Sequence, residues 1–381
     1  MVVKFNPADV PSPCFVIETE PLRHNLEILS DIKKTAGVKI VLAQKAFASF
    51  YLYPIISKYL DGVAASGLYE ASLGFDEFKK EVHTYCPAFR DDEIESIISK
   101  SDHIIFNSLN QLNRFKQKVE NNKNCSIGLR INPECSVAST PLYDPAAPGS
   151  RLGVLASELD SIDINIIDGL HFHALCEQSS YELEKILQAV EDKFSSHLHN
   201  LKWINMGGGH AFTRKDYDLK HFYKLIEEFK NRYKNLQIIF EPGSAVVWET
   251  GVLVSKILDI TNNSGMNAVL DISCTCHTPD IIEMPYRAVV ENEIPIDNAP
   301  YKYRLGGVSC LAGDQFGEYG FNKELNIGDK IVFKDMAHYT TVKTTMFNGV
   351  RHPSLALFNN NSGKMDIFKE FTYSDFKQRQ G

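Results

Sequence analysis

The sequence has no apolar run that approaches the length of a membrane span, and it has no excess of basic residues. Its 381 residues carry a formal net charge of −8. A nucleic-acid-binding protein normally shows a basic patch or stripe, so this charge argues against that class. The amino terminus has no apolar stretch behind a basic head. We therefore expect no signal peptide, no membrane partner and a cytoplasmic location.

Regular motifs for disulfides, metals and dinucleotides are also missing. The eight cysteines follow no regular spacing, as expected of thiols in a reducing compartment. Cys274, Cys276 and His277 lie close together but lack a second ligand pair at zinc-site spacing, so we expect no metal. No strand is followed by GxGxxG, and neither internal repeats nor low-complexity segments occur.

The sequence does contain a repeated alternation of short apolar runs with longer segments of helical period. A chain of 381 residues usually forms two compact parts. The first strand is predicted at Cys14–Glu18, followed by an amphipathic helix at 20–36. Other helical patterns are clearest at 181–194 and 217–233. Eight further strand candidates occur at 39–45, 62–66, 82–86, 103–107, 126–132, 169–174, 203–207 and 237–241.

This alternation predicts an α/β fold, a closed parallel (β/α)8 TIM-type barrel over residues 21–243, with an open doubly wound sheet as the alternative. Residues 1–20 and 244–381 are predicted to form a β-sandwich or β-barrel domain that also takes the first strand. The polar tail after Asp366 is expected to be only partly ordered. The β-rich runs of this domain are 252–261, 267–273, 303–310, 329–335, 339–347 and 355–358.

Lys45 directly follows the first barrel strand, and reactive groups in such barrels lie at the carboxyl ends of the strands. The next residues, Ala46, Phe47 and Ala48, leave its ammonium little water. Because desolvation lowers the pKa of a lysine, Lys45 is a candidate for Schiff-base formation with an aldehyde. The alternative is a solvated or ion-paired loop lysine.

Three other strand ends carry candidate cofactor ligands. The backbone N–H groups of the triple glycine at 207–209 can bind an anion such as phosphate, or the glycines can simply form a tight turn. Glu241, followed by Pro and Gly243, can pair with the ring nitrogen of a pyridine cofactor or with a cation at the barrel mouth. His173, on the same strand face as His171, can stack on an aromatic cofactor or be a hydrogen-bonded core histidine.

Two motifs of the β-domain are further candidates. Cys310, in VSCLAGD, lies on a predicted turn. Its thiol can act as a general acid toward a carbanion, or it can be a small buried apolar residue. Tyr339, in DMAHYTT, offers a phenol that can bind phosphate or merely pack.

Taken together, these motifs resemble the fold type III, alanine-racemase-like decarboxylases that use pyridoxal 5′-phosphate. This family contains ornithine, arginine and diaminopimelate decarboxylases, and the similarity is greatest to the branch that acts on carboxynorspermidine and carboxyspermidine. The resemblance runs from about Lys39 to Gly349. Its motifs are LAQKAFA, ASGLYEA, HTYCPAF, FNSL, SRLG, GLHFHALCE, GGGH, EPG, HTPD, EMPY, CLAGD, GEYGF, HYT and TMFNG.

The resemblance implies a cofactor, pyridoxal 5′-phosphate, and a role for each candidate. Lys45 would hold the cofactor covalently, His173 would stack on its ring, and Glu241 would pair with the ring nitrogen. The triple glycine and Tyr339 would receive the phosphate. The implied cofactor-binding set is Lys45, Ser66, Arg130, His173, Gly207, Gly208, Gly209, Glu241, Gly243 and Tyr339.

The second catalytic residue implied by the resemblance is Cys310. It would cross from the partner subunit of a homodimer with shared active sites and protonate the α-carbon. Asp280, in HTPD, would bind the amino end of the substrate. The implied substrate-binding set is Ser244, Asp280, Leu311 and Asp314.

Two positions distinguish this chain from other members of the family. Ornithine and diaminopimelate enzymes have an acidic residue where Leu311 stands, and Leu311 suits a longer aliphatic chain. Those enzymes also have an arginine where Ser244 stands, and the carboxynorspermidine pattern has a glutamate there. Glu249 lies nearby in sequence, and we do not assign it the role of that glutamate.

The predicted function is decarboxylation in polyamine biosynthesis, of carboxynorspermidine to norspermidine or of carboxyspermidine to spermidine. The alternatives are a diaminopimelate, ornithine or arginine decarboxylase, and a catalytically inactive barrel that binds the cofactor or a partner. The presence of both Lys45 and Cys310 argues against the inactive barrel, because a non-catalyst needs no general acid.

Overall fold

A computed structural model of the chain describes residues 1–122, 124–138 and 140–381. It contains two compact units. One comprises Met1–His24 and Val247–Gly381, and the other comprises Asn25–Val246. The sequence places the domain boundaries after residues 20 and 243, and the compact units divide after His24 and Val246.

The first two elements are β1 (Cys14–Glu18) and α1 (Thr19–Ala36), as predicted. Leu22, Leu26 and Leu29 are completely buried. They recur at helical spacing, so one stripe of α1 faces apolar surroundings and the other faces solvent.

The larger unit is built on eight parallel strands that close into a barrel in sequential order, which confirms the predicted fold. The closing pair joins the first and last barrel strands, with Ile40 opposite Phe240. Every strand ends before its predicted carboxyl end, because the last predicted residues belong to the rim loops. The strands are β2 (Lys39–Ala43), β3 (Gly62–Ala65), β4 (Glu81–Tyr85), β5 (His103–Phe106), β6 (Ser126–Arg130), β7 (Gly169–His171), β8 (Trp203–Asn205) and β9 (Gln237–Phe240).

Helices and helical turns connect the barrel strands. The starts of two of these helices are fixed by capping residues. Ser179 and Glu182 form a capping box at one helix start, and Asp218 accepts a hydrogen bond of 3.0 Å from the His221 N–H at another. The helices are α2 (Tyr53–Ile56), α3 (Leu68–Leu73), α4 (Ile94–Ile98), α5 (Leu109–Glu120), α6 (Ala156–Leu159), α7 (Ser180–Leu198), α8 (Leu219–Arg232) and α9 (Ser244–Val247), with short turns at Phe50–Leu52, Gly74–Phe78, Pro141–Tyr143 and Ile164–Ile166.

Trp203 fills the barrel interior at the amino-terminal ends of the strands. Its indole N–H donates a 2.9 Å hydrogen bond to the Ser126 hydroxyl. A Cβ atom at Gly128 or Gly169 would clash with the indole ring, so small residues at these two positions make room for it. This end of the barrel is therefore closed by packing, and the opposite end remains for chemistry.

The smaller unit is a mostly antiparallel sheet that includes β1, as predicted. Its strands follow the order β13, β12, β11, β10, β1, β15, β16, and β14 pairs with β10. β1 runs antiparallel to β10 and parallel to β15. The strands are β10 (Gly251–Asn262), β11 (Met266–Leu270), β12 (Tyr301–Gly306), β13 (Gln315–Phe321), β14 (Lys330–Lys334), β15 (Ser354–Asn359) and β16 (Lys364–Lys369).

The helices of the smaller unit are short and lie between its strands. They are α10 (Cys274–His277), α11 (Asp280–Glu283), α12 (Thr340–Lys343) and α13 (Tyr373–Gln380), with short turns at Pro7–Asp9, Ile296–Asn298 and Phe347–Gly349. No helix in the described ranges combines the length and the apolar character that a membrane span needs. All eight cysteines are free thiols.

Two predictions for the smaller unit are wrong. The run 339–347 is not a strand but begins with α12, where the Thr340 and Thr341 hydroxyls donate to the backbone carbonyls of Met336 and Ala337. These local bonds compete with strand pairing. The tail is also ordered, because β16 pairs with β15 at the sheet edge and α13 follows it. The strand β13 was not predicted from the sequence.

Candidate active site

Lys45 lies two residues beyond β2, in a turn at the carboxyl end of the barrel. Its side chain reaches solvent, yet the surrounding protein desolvates the ammonium and lowers its pKa. The Glu241 carboxylate opposes this shift, and the Arg130 guanidinium reinforces it. The neutral, nucleophilic form of the amine is therefore more populated here than in a free surface lysine.

The turn that carries Lys45 is anchored by the buried side chain of Gln44. Its amide donates a 2.8 Å hydrogen bond to the Glu70 carbonyl and accepts one of 2.9 Å from the Tyr53 hydroxyl. Glu70 in turn accepts a 2.6 Å bond from the N–H of Ser66, which follows β3 and is exposed. The ends of β2 and β3 are thus tied together beneath the lysine.

Glu241 follows β9 and directs a nearly buried carboxylate into the same rim. Asn205 donates a 2.6 Å hydrogen bond to one carboxylate oxygen, and His171 Nε2 lies 3.6 Å from the other. Burial alone would raise the pKa of Glu241, but His171 and Asn205 outweigh it and lower the pKa to about 2. The carboxylate is therefore anionic, as a partner for a protonated ring nitrogen must be.

The triple glycine after β8 is a cradle that no other residue type could form. Gly207 and Gly209 have positive φ values of 69° and 82°. A Cβ atom at any of the three glycines would clash with a carbonyl oxygen, from Phe172, Glu241 or Leu175. Among the hydrogen bonds of the described ranges, none uses the Gly209 N–H. The loop thus offers the Gly209 N–H as a backbone donor to an anion.

His173 and Arg130 are fixed beside this cradle. The Gly208 N–H donates a 3.0 Å hydrogen bond to His173 Nδ1, so this nitrogen is the acceptor of a neutral ring. Burial, with the charges of Lys45 and Arg130, lowers the pKa of His173 well below its usual range. Arg130 is 4% exposed, donates 3.1 Å to the His173 carbonyl, and stacks over the Tyr85 ring.

The segment after Glu241 packs directly against the lysine turn. Gly243 approaches so closely that an added Cβ would lie 2.5 Å from Ala46 Cβ. The next residue, Ser244, donates a 3.2 Å hydrogen bond from its hydroxyl to the Glu177 carboxylate. The barrel rim therefore brings together a lysine amine, an anionic carboxylate, a neutral imidazole and an anion cradle.

In the smaller unit, Cys310 lies on an exposed loop whose shape depends on Asp314. The Asp314 side chain is buried and accepts hydrogen bonds from Ser273 Oγ (3.0 Å), from the Thr275 N–H (3.2 Å) and from both Ser309 N–H and Oγ (3.1 and 2.6 Å). These bonds hold the loop, so substrate binding by Asp314 itself stays a prediction.

A second contact fixes the loop at the cysteine itself. The N–H of Cys310 donates a 2.9 Å hydrogen bond to the side chain of Asn348, which has a positive φ of 58°. Leu311, the next residue, is 46% exposed. The thiol is therefore presented to the outside of its own unit by a loop pinned from two directions.

The remaining predicted residues of this unit have partners of their own. The Asp280 carboxylate pairs with the Lys343 ammonium, which also pairs with Glu283 at 2.6 Å. Tyr339 has a positive φ of 55° and precedes α12. The Glu249 carboxylate lies 3.5 Å from the terminal amine of Met1, so Glu249 is engaged within its own unit.

A cluster of possible metal ligands lies at the opposite end of the barrel. The ligand atoms of Glu81, His83 and His103 all lie within 4.8 Å of one another. The two imidazoles are stacked with centroids 4.1 Å apart, and the Lys39 ammonium already pairs with Glu81 at 2.5 Å. Because a cation occupies this carboxylate, we assign the cluster to packing of the barrel floor.

Comparison with known proteins identifies the family. A family model described as the pyridoxal-dependent decarboxylase, C-terminal sheet domain, matches residues 14–337. The chain belongs to the pyridoxal-dependent decarboxylases. Over 381 aligned residues, the enzyme is 43% identical to the carboxynorspermidine/carboxyspermidine decarboxylase of Campylobacter jejuni, with 97% of this chain and 98% of the relative covered.

Two further comparisons bear on the branch within the family. The carboxyaminopropylagmatine decarboxylase of Synechocystis sp. is also 43% identical, over 98% of this chain and 96% of the relative. The crystal structure of carboxynorspermidine decarboxylase complexed with norspermidine from Campylobacter jejuni superposes with a TM-score of 0.91 at 41% identity. It covers 97% of this chain and all of the other.

The rim of this decarboxylase fits pyridoxal 5′-phosphate. The glycine cradle packs so closely against neighbouring carbonyls that only glycine fits, and the Gly209 N–H is a backbone donor for a phosphate. Glu241 can accept a hydrogen bond from the ring nitrogen, and Lys45 can bind the aldehyde. When bound, the cofactor supplies an electron sink for the bond that breaks.

Three residues that position this site were not predicted from the sequence. Asn205 bridges Glu241 and the Gly207 N–H, to which its side-chain oxygen is bonded at 2.9 Å. His171 contacts Glu241, and Gln44 anchors the lysine turn. The one available signal was polarity, because a buried asparagine and histidine interrupt otherwise apolar strands.

We predict that Asn205→Ala weakens binding of pyridoxal 5′-phosphate by about tenfold, because two buried groups lose their partner. Titration of the cofactor-free protein, followed by absorbance, measures the affinity. Asn110→Ala, at an exposed position of α5, is the matched control and should leave the affinity unchanged. Unaltered affinity in Asn205→Ala would refute the bridging role.

Proposed function

We propose that this decarboxylase removes the carboxylate of carboxyspermidine or carboxynorspermidine to yield spermidine or norspermidine. The observation that carries the proposal is the 43% identity, over nearly the whole chain, to an enzyme named for these two substrates. The rim geometry supports it, because Lys45, Glu241 and the glycine cradle lie at one barrel opening.

A second candidate substrate is carboxyaminopropylagmatine. The Synechocystis decarboxylase named for it is equally similar, at 43% identity. All three compounds share an α-amino acid end and further cationic nitrogens, and carboxyaminopropylagmatine ends in a guanidinium rather than an ammonium group. Exposed Leu311, in place of an acidic residue, is compatible with either long chain.

Three residues of the barrel rim have distinct roles in the proposed reaction. Lys45, with its lowered pKa, provides the amine that binds the cofactor aldehyde. Glu241 stays ionised and holds a proton on the ring nitrogen. His173, neutral and fixed by Gly208, presents a flat ring face for stacking. Each group is therefore in the charge state that its role requires.

Proton return to the α-carbon is assigned to Cys310. Breaking the bond between the α-carbon and the carboxylate releases carbon dioxide and leaves an electron pair on that carbon. The Cys310 thiol donates its proton there, and solvent then reprotonates the thiolate. The exposed, pinned loop suits a thiol that acts in the site of a partner subunit, so we also propose a homodimer with shared active sites. Its free thiols fit a cytoplasmic location.

We expect carbon dioxide release to select the substrate class. With pyridoxal 5′-phosphate bound, kcat/KM for carboxyspermidine, carboxynorspermidine or carboxyaminopropylagmatine should exceed that for diaminopimelate, ornithine and arginine by about 100-fold or more. The first three carry two cationic groups besides the α-amine and the others carry one, so a site built for two is left partly unpaired. Lys45→Ala should release none, while exposed Lys220→Ala is the control. Preference for diaminopimelate, ornithine or arginine would overturn the proposal.

Subunit complementation tests the shared site. Lys45→Ala and Cys310→Ala proteins, each inactive, should regain about a quarter of wild-type activity when mixed under conditions of subunit exchange. Half of the dimers are then mixed, and each holds one intact site of two. No recovery, with mixed dimers demonstrated by differently tagged subunits, would show that Cys310 does not act across the interface.

A further inference from the structure

Glu177 places a carboxylate at the barrel rim that forms no ion pair with any described residue. The residue is half-buried, and one carboxylate oxygen accepts a 3.2 Å hydrogen bond from the Ser244 hydroxyl. Among the described residues, no lysine, arginine or histidine nitrogen lies within the 4.0 Å that defines an ion pair with it. A partly desolvated charge of this kind is stabilised by a cation that arrives with a ligand.

Arg214 forms no ion pair with this carboxylate, although the Asp216 carboxylate and, more weakly, that of Glu177 raise the pKa of its guanidinium. Its guanidinium forms two hydrogen bonds to Asp216, of 3.0 and 2.6 Å, and a third, of 3.3 Å, to the main-chain carbonyl of Glu177. Arg214 therefore fixes the backbone of Glu177 while its own charge is balanced by Asp216. The Glu177 side chain is left directed at Ser244.

The backbone at Glu177 is held in an unfavourable conformation. Its φ is 54°, in the left-handed region that residues with a side chain rarely adopt. The neighbouring Gln178 N–H donates a 2.9 Å hydrogen bond to the Gly209 carbonyl, and the Cys176 N–H donates 3.2 Å to the Gln178 side chain. The loop is thus bonded to the anion cradle, which maintains the strained residue in place.

Glu177 shares the opening with Lys45. Ser244, its hydrogen-bond donor, follows Gly243, which packs against Ala46 beside the lysine. The thiol of Cys176 responds to both charges: burial raises its pKa, the Glu177 carboxylate adds to this shift, and Lys45 opposes it. A ligand bound at Lys45 therefore has a carboxylate within the same rim.

We propose that the Glu177 carboxylate, oriented by the Ser244 hydroxyl, binds a cationic nitrogen of the substrate other than the one on its α-carbon. This inference rests on the proposed function, because carboxylated polyamines carry such nitrogens. Ser244 occupies one carboxylate oxygen, and the second is left for the ligand. Glu177 is a specificity residue for polyamine length and charge, and Ser244 is its positioning residue.

The test compares ligands with and without the extra nitrogens. Calorimetry on the cofactor-loaded full chain measures the affinity for norspermidine, which has three nitrogens, and for propylamine, which has one. Glu177→Gln should weaken norspermidine binding by about tenfold or more and leave propylamine within about twofold, because only the triamine loses a charge partner. Ser244→Ala should weaken norspermidine by about threefold, because the carboxylate keeps its charge and loses its orientation.

Control measurements separate a role of Glu177 in amine binding from a role in folding or in cofactor binding. Glu120→Gln, at the exposed end of α5, should change neither ligand's affinity. Melting temperature and cofactor absorbance verify that Glu177→Gln is folded and loaded. Equal affinity of Glu177→Gln and wild type for norspermidine would overturn the inference. Equal weakening of both amines, or loss of the cofactor, would also overturn it, since Glu177 would then serve the cofactor pocket.

A measurement of turnover tests the proposed function separately from the amine subsite. With carboxyspermidine, Glu177→Gln should raise KM by about tenfold and keep kcat within about threefold, because the lost contact is the same in the ground and transition states. A wild-type protein that binds norspermidine through Glu177 but turns over no carboxypolyamine would refute the proposed reaction alone. If the wild-type protein is active and Glu177→Gln has the same KM, the amine subsite is refuted and the proposed reaction is not.

Discussion

The nearly buried carboxylate of Glu241 is the constraint on which the rest of the barrel site depends. A charge in this position is costly unless it is hydrogen-bonded, and Asn205 donates such a bond while the His171 ring lies 3.6 Å away on the strand before it. Because Asn205 also binds the Gly207 N–H, the ring-nitrogen partner and the phosphate cradle are held by one side chain. The same negative charge counteracts part of the desolvation of Lys45. The site residues are therefore coupled through their charges as well as through their hydrogen bonds.

The smaller unit also contains a hydrogen-bonded carboxylate, and this one shapes a loop. Buried Asp314 collects hydrogen bonds from Ser273, Thr275 and Ser309, and thereby shapes the loop that exposes Cys310. A carboxylate is thus used to preorganise the loop that carries a thiol. The two units each contain a preformed half of the proposed chemistry, with the cofactor ligands in one and the proton donor in the other.

The sequence predicted the barrel well, because eight apolar runs of strand length alternate with helical periods and few other folds satisfy that order. It also placed Lys45, the glycine cradle and Glu241 correctly at strand ends. The strand predicted at 339–347 is wrong. Threonines are common in strands, but here their hydroxyls donate to nearby backbone carbonyls. Asn205 and Glu177 were missed for another reason. Their importance lies in contacts with residues 36 and 67 positions away, which no local pattern encodes.

The central claim is that Lys45, and no other lysine, carries pyridoxal 5′-phosphate at the barrel rim. Reduction of the loaded protein with borohydride converts the carbon–nitrogen double bond between lysine and cofactor into a stable single bond, and peptide mass mapping then locates the modified residue. The account predicts one modified lysine per chain, at Lys45. Modification at a different lysine, or none in a protein that retains the cofactor's absorbance, would contradict it.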